Sequence, residues 1–260
     1  YESYFINALN DAGYSYDIWD VSNLGSPSAD TLLRYKVVIW TTGDDYTSTL
    51  SSTDENNLIQ FLENGGRLFL SSQDYLWDVS GGSDGSISNT FINNYLGVSE
   101  VNNDVSYTSV VGVSGDPIGD GLSLTLNYPY TNYADTITVG NGGVAIFTYN
   151  GQPTAVRLDG GKYRTVFLAF SFEAVENADS TTGAQLMDRI ITWLLGGSAA
   201  GTTYTVQGYV YYPNGSPAIN VSVYIAINDT VVTLTKTDSS GFYSVQISAN
   251  ACLLYTSDAA

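Results

Sequence analysis

Lys36-Val37-Val38-Ile39-Trp40-Thr41 sets four apolar side chains in a row, after Tyr35 and before the turn residues Thr42-Gly43. A strand that is apolar on both faces belongs inside a parallel sheet, because the crossover connections of such a sheet lay helices over each face. The flanking sequence follows that logic. Upstream, Tyr1, Phe5, Ala8, Leu9 and Ala12 recur at helical spacing and stop at Gly13, Tyr14–Val21 reads as a short strand, and Ala29–Arg34 as a helical turn. Downstream, Ser52 and Glu55 have capping-box spacing ahead of the stripe Leu58, Ile59, Phe61, Leu62, which ends at Gly65-Gly66. Arg67–Ser71 then returns as a strand.

Further along, Asn89–Tyr95 predicts a helix, and 105–138 holds irregular β segments broken by Gly and Pro. Residues 143–149, 154–158 and 163–170 predict three more strands. Thr182 with Gln185 predicts a second capping box. The helix it opens carries Leu186, Met187, Ile190, Ile191 and Leu194 on one face and closes at Gly196-Gly197. The alternation predicts an α/β domain over residues 1–197: an open, mostly parallel, flavodoxin-like sheet with helices on both faces. Such a sheet normally opens with a strand. This chain opens with a helix and no Met, so the expectation is that the first strand is missing together with what precedes it.

Residues 198–203, Ser-Ala-Ala-Gly-Thr-Thr, read as a linker. Beyond it the apolar period changes to two: 204–212 alternates, Pro213-Asn-Gly-Ser-Pro217 turns, and Val221, Val223, Ile225 and Ile227 share a face. With strands at 231–237 and 242–247 around the turn Asp238-Ser-Ser-Gly241, residues 204–250 predict a partial all-β sandwich. The final ten residues, 251–260, hold the only cysteine, Cys252, and abandon the alternation. They resemble the translated sequencing-adapter tail met on predicted metagenomic proteins, and are expected to be non-native.

Composition removes much chemistry. Twenty-six acidic against eight basic residues give a formal charge of -18, which repels phosphate backbones and anionic lipid, so neither nucleic acid nor a membrane surface is an expected partner. There is no histidine, so no Ser-His-Asp or Cys-His relay can be built and no zinc site that uses imidazole. Low lysine with abundant Ser, Thr, Asn, Gly and 21 tyrosines suggests an exported protein, extracellular or at the cell surface.

Three segments carry a resemblance: residues 4–20 (Tyr-Phe-Ile-Asn-Ala-Leu-Asn-Asp-Ala-Gly-Tyr-Ser-Tyr-Asp-Ile-Trp-Asp), 35–43 (Tyr-Lys-Val-Val-Ile-Trp-Thr-Thr-Gly) and 65–74 (Gly-Gly-Arg-Leu-Phe-Leu-Ser-Ser-Gln-Asp). Together they resemble the class I glutamine-amidotransferase-like domains of secreted multidomain proteins, which often accompany extracellular peptidases. Phe172-Glu-Ala-Val-Glu176 and the closing helix fit the same pattern. Active members of that family carry a cysteine on the turn after a central strand; here that turn is Ser71-Ser72-Gln73, so the resemblance implies no amidotransferase activity. Gly208-Tyr-Val210, Gly215-Ser-Pro217 and Thr237-Asp-Ser-Ser-Gly-Phe-Tyr243 resemble carboxypeptidase-regulatory-like modules, which act as spacers or adhesive domains.

Open α/β sheets bind ligands beyond the carboxyl ends of their strands. That rule gathers Asp44 and Asp45 with Ser72, Gln73, Asp74 and Tyr75, and adds Glu173, as a candidate binding site. A sugar or a cation would suit such carboxylates and aromatics; caps and solvated loops would use the same residues structurally. A serine nucleophile at Ser71 or Ser72 has no histidine and no Ser-x-x-Lys partner. Asp78, Asp84, Asp116 and Asp120 lie in Gly-rich loops without EF-hand spacing. No catalytic residue, metal site or cofactor is expected. The sequence thus predicts a non-catalytic accessory region of a large secreted protein, an extracellular peptidase among the candidates, with other domains of the same polypeptide as its partners. A glycan-binding module using the acidic, aromatic cleft is the alternative.

Overall fold

The structure is a computed structural model that describes residues 1–196, 203–227, 230–248 and 251–256. It forms two compact units, Tyr1–Ala200 with Ala251–Ala260, and Gly201–Asn250. Most of the expected linker, 198–202, lies outside the described residues.

The first unit opens with α1 (Glu2–Asp11), β1 (Ser15–Asp20), the short helices α2 (Val21–Leu24) and α3 (Ala29–Leu32), β2 (Val37–Thr41), α4 (Ser52–Glu63), β3 (Arg67–Ser71) and α5 (Tyr75–Ser80). Then come β4 (Gly85–Ser86), a π-helical turn (Ile92–Leu96), β5 (Val98–Asn102), β6 (Ser109–Gly112), β7 (Ser123–Thr125), β8 (Thr136–Val139), β9 (Val144–Tyr149), β10 (Gln152–Asp159) and β11 (Arg164–Leu168). Helices α6 (Phe172–Ala178) and α7 (Ser180–Leu194) follow. The second unit contributes β12 (Thr203–Tyr209), β13 (Ser222–Ile227), β14 (Thr230–Lys236) and β15 (Phe242–Ser248), after which β16 (Ala251–Thr256) returns to the first.

The main sheet has nine strands in the order β1-β16-β2-β3-β11-β10-β9-β6-β7. Strands β1, β16, β2, β3 and β11 pair in parallel; β11-β10, β10-β9, β9-β6 and β6-β7 are all antiparallel. This mixed sheet overturns the flavodoxin-like, mostly parallel expectation. The reason is local. Asn150 and Gly151, at φ 49° and 81°, make a two-residue turn in which both positions are left-handed, the type that closes a hairpin. So short a link can join only antiparallel strands, and the tight turn at Gly160-Gly161 reverses the chain again before β11. The alternation of the first seventy residues does not extend across a stretch with no helix between its strands. A small sheet, β4-β5-β8, is not paired into the main one, but its Val98, Val101 and Ile137 share a core with Val156 and Phe167 of β10 and β11.

Both faces of β2, β3 and β11 are covered, and the period of two divides each of these strands between two cores. Val37, Ile39, Phe69, Val166 and Leu168 join Phe5, Leu9, Phe172, Met187 and Ile190 from α1, α6 and α7. Val38, Trp40, Leu68, Leu70 and Phe167 join Leu58, Phe61, Leu76 and Phe91 on the opposite face. The unbroken apolar run at 37–40 thus serves two cores at once. Phe172 is fully buried with its ring 4.8 Å from that of Phe5 and 5.9 Å from that of Phe69. Each such side chain contributes about 1.5–3 kcal/mol by leaving water.

Helix starts fall one to three residues ahead of the predicted boxes. The cap of α4 is Ser51, whose hydroxyl accepts the Asp54 N–H at 3.2 Å while Asp54 Oδ2 accepts the Ser51 N–H at 2.9 Å. Asp179 caps α7 through the Thr181 N–H at 3.2 Å, so Thr182 lies inside the helix and donates to the same carboxylate. Over 89–95 the regular helix is replaced by a cap from Asn89 Oδ1 to the Ile92 N–H at 2.9 Å and the π-helical turn.

Residues 251–256, set aside in the sequence reading, form the parallel strand β16 between β1 and β2. In the second unit, β12 pairs with β15 and β13 with β14, each antiparallel, as two separate two-stranded sheets. Asp238 ties the last hairpin by accepting the N–H groups of Ser240 and Phe242 at 2.8 and 3.0 Å.

Candidate functional site

Strands β2 and β3 end side by side, Thr41 opposite Ser71. The segments that leave them therefore start together, and α6 begins beside them after β11. Thr41 Oγ1 donates to Glu173 Oε1 at 2.9 Å, and the Thr42 and Ser72 hydroxyls share a hydrogen bond of 2.7 Å. The Ser72 oxygen also accepts the N–H groups of Tyr75 at 3.0 Å and Asp74 at 3.3 Å, which closes the turn into α5. Ser71 Oγ accepts the Phe172 N–H at 2.9 Å, fastening α6 to the end of β3.

Gln73 is fully buried and reaches across to a segment that periodicity could not read. Its Nε2 donates to the Thr131 carbonyl at 2.9 Å, while Oε1 accepts the Tyr133 N–H at 3.3 Å and the Ser171 hydroxyl at 3.5 Å. Tyr130 donates to Ser171 Oγ at 2.7 Å. Asp135, also fully buried, accepts the Asp104 N–H at 2.9 Å through Oδ1, and its Oδ2 has no partner among the described residues. Sequence reasoning missed Thr41, Tyr130, Ser171 and Asp135.

Ser72, Gln73, Asp74 and Glu173 are thus brought into one buried cluster. Asp44 is exposed and Asp45 half-buried at its rim, where Asp45 Oδ1 accepts the Thr47 N–H at 3.0 Å. Tyr75 is not in the cluster: it is buried in the core on the α4 side, and its hydroxyl donates to Glu55 at 2.6 Å. The accessible aromatics near Asp45 are Tyr46 and, in α5, the half-buried Trp77, edge to face at 6.0 Å.

Burial dominates the electrostatics. It pushes the Asp74 carboxyl up to about 7, with Asp104, Asp44 and Asp45 adding to the rise and a Gln73 contact opposing it. Burial likewise raises Asp135 well above the carboxylate range, with Asp74, Asp104 and Asp84 contributing, and raises the Tyr130 phenol. A carboxyl near 7 has the acidity of a general acid or base. The nearest candidate nucleophile, Ser72, already bonds Thr42 and two backbone amides. Among the described residues no group of three or more Cys, Asp or Glu has the geometry to hold a metal ion.

Glu176 in α6 is a further buried carboxyl, also pushed up to about 7, by burial and then by Asp11 and Asp179. Asp74 and Glu176 have ordinary values of 3.8 and 4.5, so the folded chain binds more protons than the unfolded one between about pH 4 and 7. Stability therefore falls as pH rises through that window, and the loss is complete above about 7. Asp74→Asn and Glu176→Gln are each expected to raise stability at pH 8 by about 1 kcal/mol and to flatten the profile. Urea melts at pH 5 and pH 8 measure this; a wild type more stable at pH 8 would contradict it.

No family model and no curated protein matches the chain. Solved structures do. The cytoplasmic protein STM3548 from Salmonella typhimurium is similar over 74% of this chain and 86% of its own, at 14% identity and a TM-score of 0.55. A catalytic mutant of Gan42B, a GH42 β-galactosidase from G. stearothermophilus, is similar over 95% of this chain and 36% of its own, at 13% identity and a TM-score of 0.52. The β-galactosidase from Bacillus circulans sp. alkalophilus gives 94% and 36%, at 12% identity and a TM-score of 0.51. The chain thus spans about a third of the length of these β-galactosidases. At such identities the likeness is one of fold alone.

Proposed function

We propose that this chain is a non-catalytic accessory region of a larger extracellular or cell-surface polypeptide, in which the strand-end cluster is a structural lock. One observation carries the reading: the polar side chains that would have to act, Ser71, Ser72, Gln73 and Glu173, are buried and already bonded to one another or to the backbone they fasten. A working site keeps acceptors and donors facing the substrate. The absence of histidine from the sequence, and of cysteine from residues 1–250, supports the same reading. That the fold recurs within β-galactosidase chains nearly three times as long fits a region that belongs to something larger. The resemblance of 204–247 to carboxypeptidase-regulatory-like modules fits a spacer role, and an extracellular peptidase is one such host.

The alternative, a glycan-binding module, draws on the Tyr46–Trp77 pair beside Asp45, an accessible aromatic edge of the kind that sugar rings stack on. Two assays on one preparation separate the readings. Activated esters and aryl glycosides are expected to be hydrolysed no faster than in buffer, and equally by Ser72→Ala. A glycan array is expected to show no specific signal. Turnover lost in Ser72→Ala would overturn the accessory reading in favour of a hydrolase; array binding lost in Tyr46→Ala and Trp77→Ala would transfer it to the glycan module.

A further inference from the structure

Most of the eight basic residues in the chain lie near one end of the main sheet, opposite the acidic cluster, among them Lys36, Arg67, Arg157, Lys162, Arg164 and Arg189. Part of this grouping is structural. Arg67 Nε donates to the Leu194 carbonyl at 2.9 Å and Arg164 Nη1 to the Trp193 carbonyl at 2.8 Å, satisfying the end of α7. The guanidiniums of Arg157 and Arg164 each lie 5.2 Å from the Trp193 ring centre. Arg157 pairs with Asp116 at 2.6 Å and Arg164 with Asp159 at 2.9 Å.

Arg189 is different. It donates through Nη1 to the main-chain carbonyls of Ile118 and Asp120, at 3.1 and 2.7 Å, and no carboxylate among the described residues is within ion-pair distance. Its Nε and Nη2 have no protein acceptor among the described residues. Beside it lies an open cleft of about 300 Å³ lined by Pro117, Arg164, Arg189, Thr192, Trp193 and Gly196. The Thr192 hydroxyl, buried beneath it, also lacks a partner among the described residues. Two guanidinium groups therefore face one cleft, one of them without a counter-charge, in a chain of net charge -18.

We infer that this cleft binds a small oxyanion, a carboxylate or a phosphate group, between Arg189 and Arg164. A guanidinium fork matches the paired oxygens of either group. The size of the cleft suits a small molecule, and the field of the whole chain repels a polyanion, so recognition has to be local.

The test is titration of the full chain with sodium phosphate and, separately, with succinate, at ionic strength held constant with sodium chloride, following tryptophan emission. A saturable change with one or both is expected, at least tenfold weaker in Arg189→Gln and at least threefold weaker in Arg189→Lys, which keeps the charge and loses the fork. Saturation with phosphate alone, or with succinate alone, supports the site and identifies its ligand class. A response no different from that to chloride overturns the inference, as does binding of equal strength in both variants. Should Arg189→Gln fail to fold, Arg189→Lys decides alone.

Discussion

Cutting the chain after residue 250 is expected to abolish cooperative unfolding of the first unit, or to lower its stability by at least about 5 kcal/mol. Strand β16 is paired at six positions with β1 and at five with β2. Without it β1 has no neighbour in the sheet, and the edge of the fully buried β2 is uncovered. With roughly 0.5–1.5 kcal/mol net for each backbone hydrogen bond, ten or so of them approach the whole stability of a typical domain. A point change makes the same case. Leu254→Pro removes one ladder donor and places a proline ring in an internal strand, where it is not accommodated. Urea melts, with hydrogen exchange of the β2 amides, read both variants. An unchanged midpoint and unchanged β2 protection would show that β16 contributes nothing to the sheet.

That lane also shows how far the sequence could be read. From sequence, the first strand is expected to be missing and residues 251–260 to be a non-native tail; in the structure residues 251–256 lie inside the parallel half. Neither observation is visible from periodicity, which reports which residues are apolar and not which strands lie side by side. Where apolar pattern alone decides, as at 37–40, 58–62 and 186–194, strand and helix were legible. In the antiparallel half the strands at 143–149, 154–158 and 163–170 were legible as strands, but their direction was legible only in the turn residues. Asn150-Gly151 is a strong hairpin signal, and giving it more weight than the preceding alternation would have broken the parallel expectation at β9 and β10. The candidate site divides in the same way. Ser72, Gln73 and Asp74 follow from the strand-end rule, whereas Tyr75 is carried into the core because it is already the first residue of α5. The partners at 130–135 come from an irregular segment some sixty residues away, brought in by hydrogen bonds that leave no local pattern.

Gln73→Leu is expected to cost about 2–3 kcal/mol. The side chain has no solvent exposure, and three of its hydrogen bonds end on the segment 131–133 and on Ser171. Leucine fills much of the same volume but leaves these groups without their partner, and an unsatisfied buried group costs its full desolvation. The loss should spread along the chain, because the Tyr130–Ser171 bond and the Asp135 N–H to Ala169 carbonyl bond of 2.9 Å depend on the same segment staying in place. Gln73→Glu should be worse, since it adds a buried charge beside an already crowded set of carboxyls. Ser72→Ala, which removes a turn closure and one hydroxyl pair, should cost about 1–2 kcal/mol. These magnitudes distinguish a lock from a binding site. Residues kept for a ligand are commonly neutral or even unfavourable for stability, so their removal leaves the melting midpoint where it was or raises it. Urea denaturation of the three variants decides: losses in the order Glu, Leu, Ala mark the cluster as structure, and midpoints equal to wild type would mean that these side chains are held in place for something other than the fold.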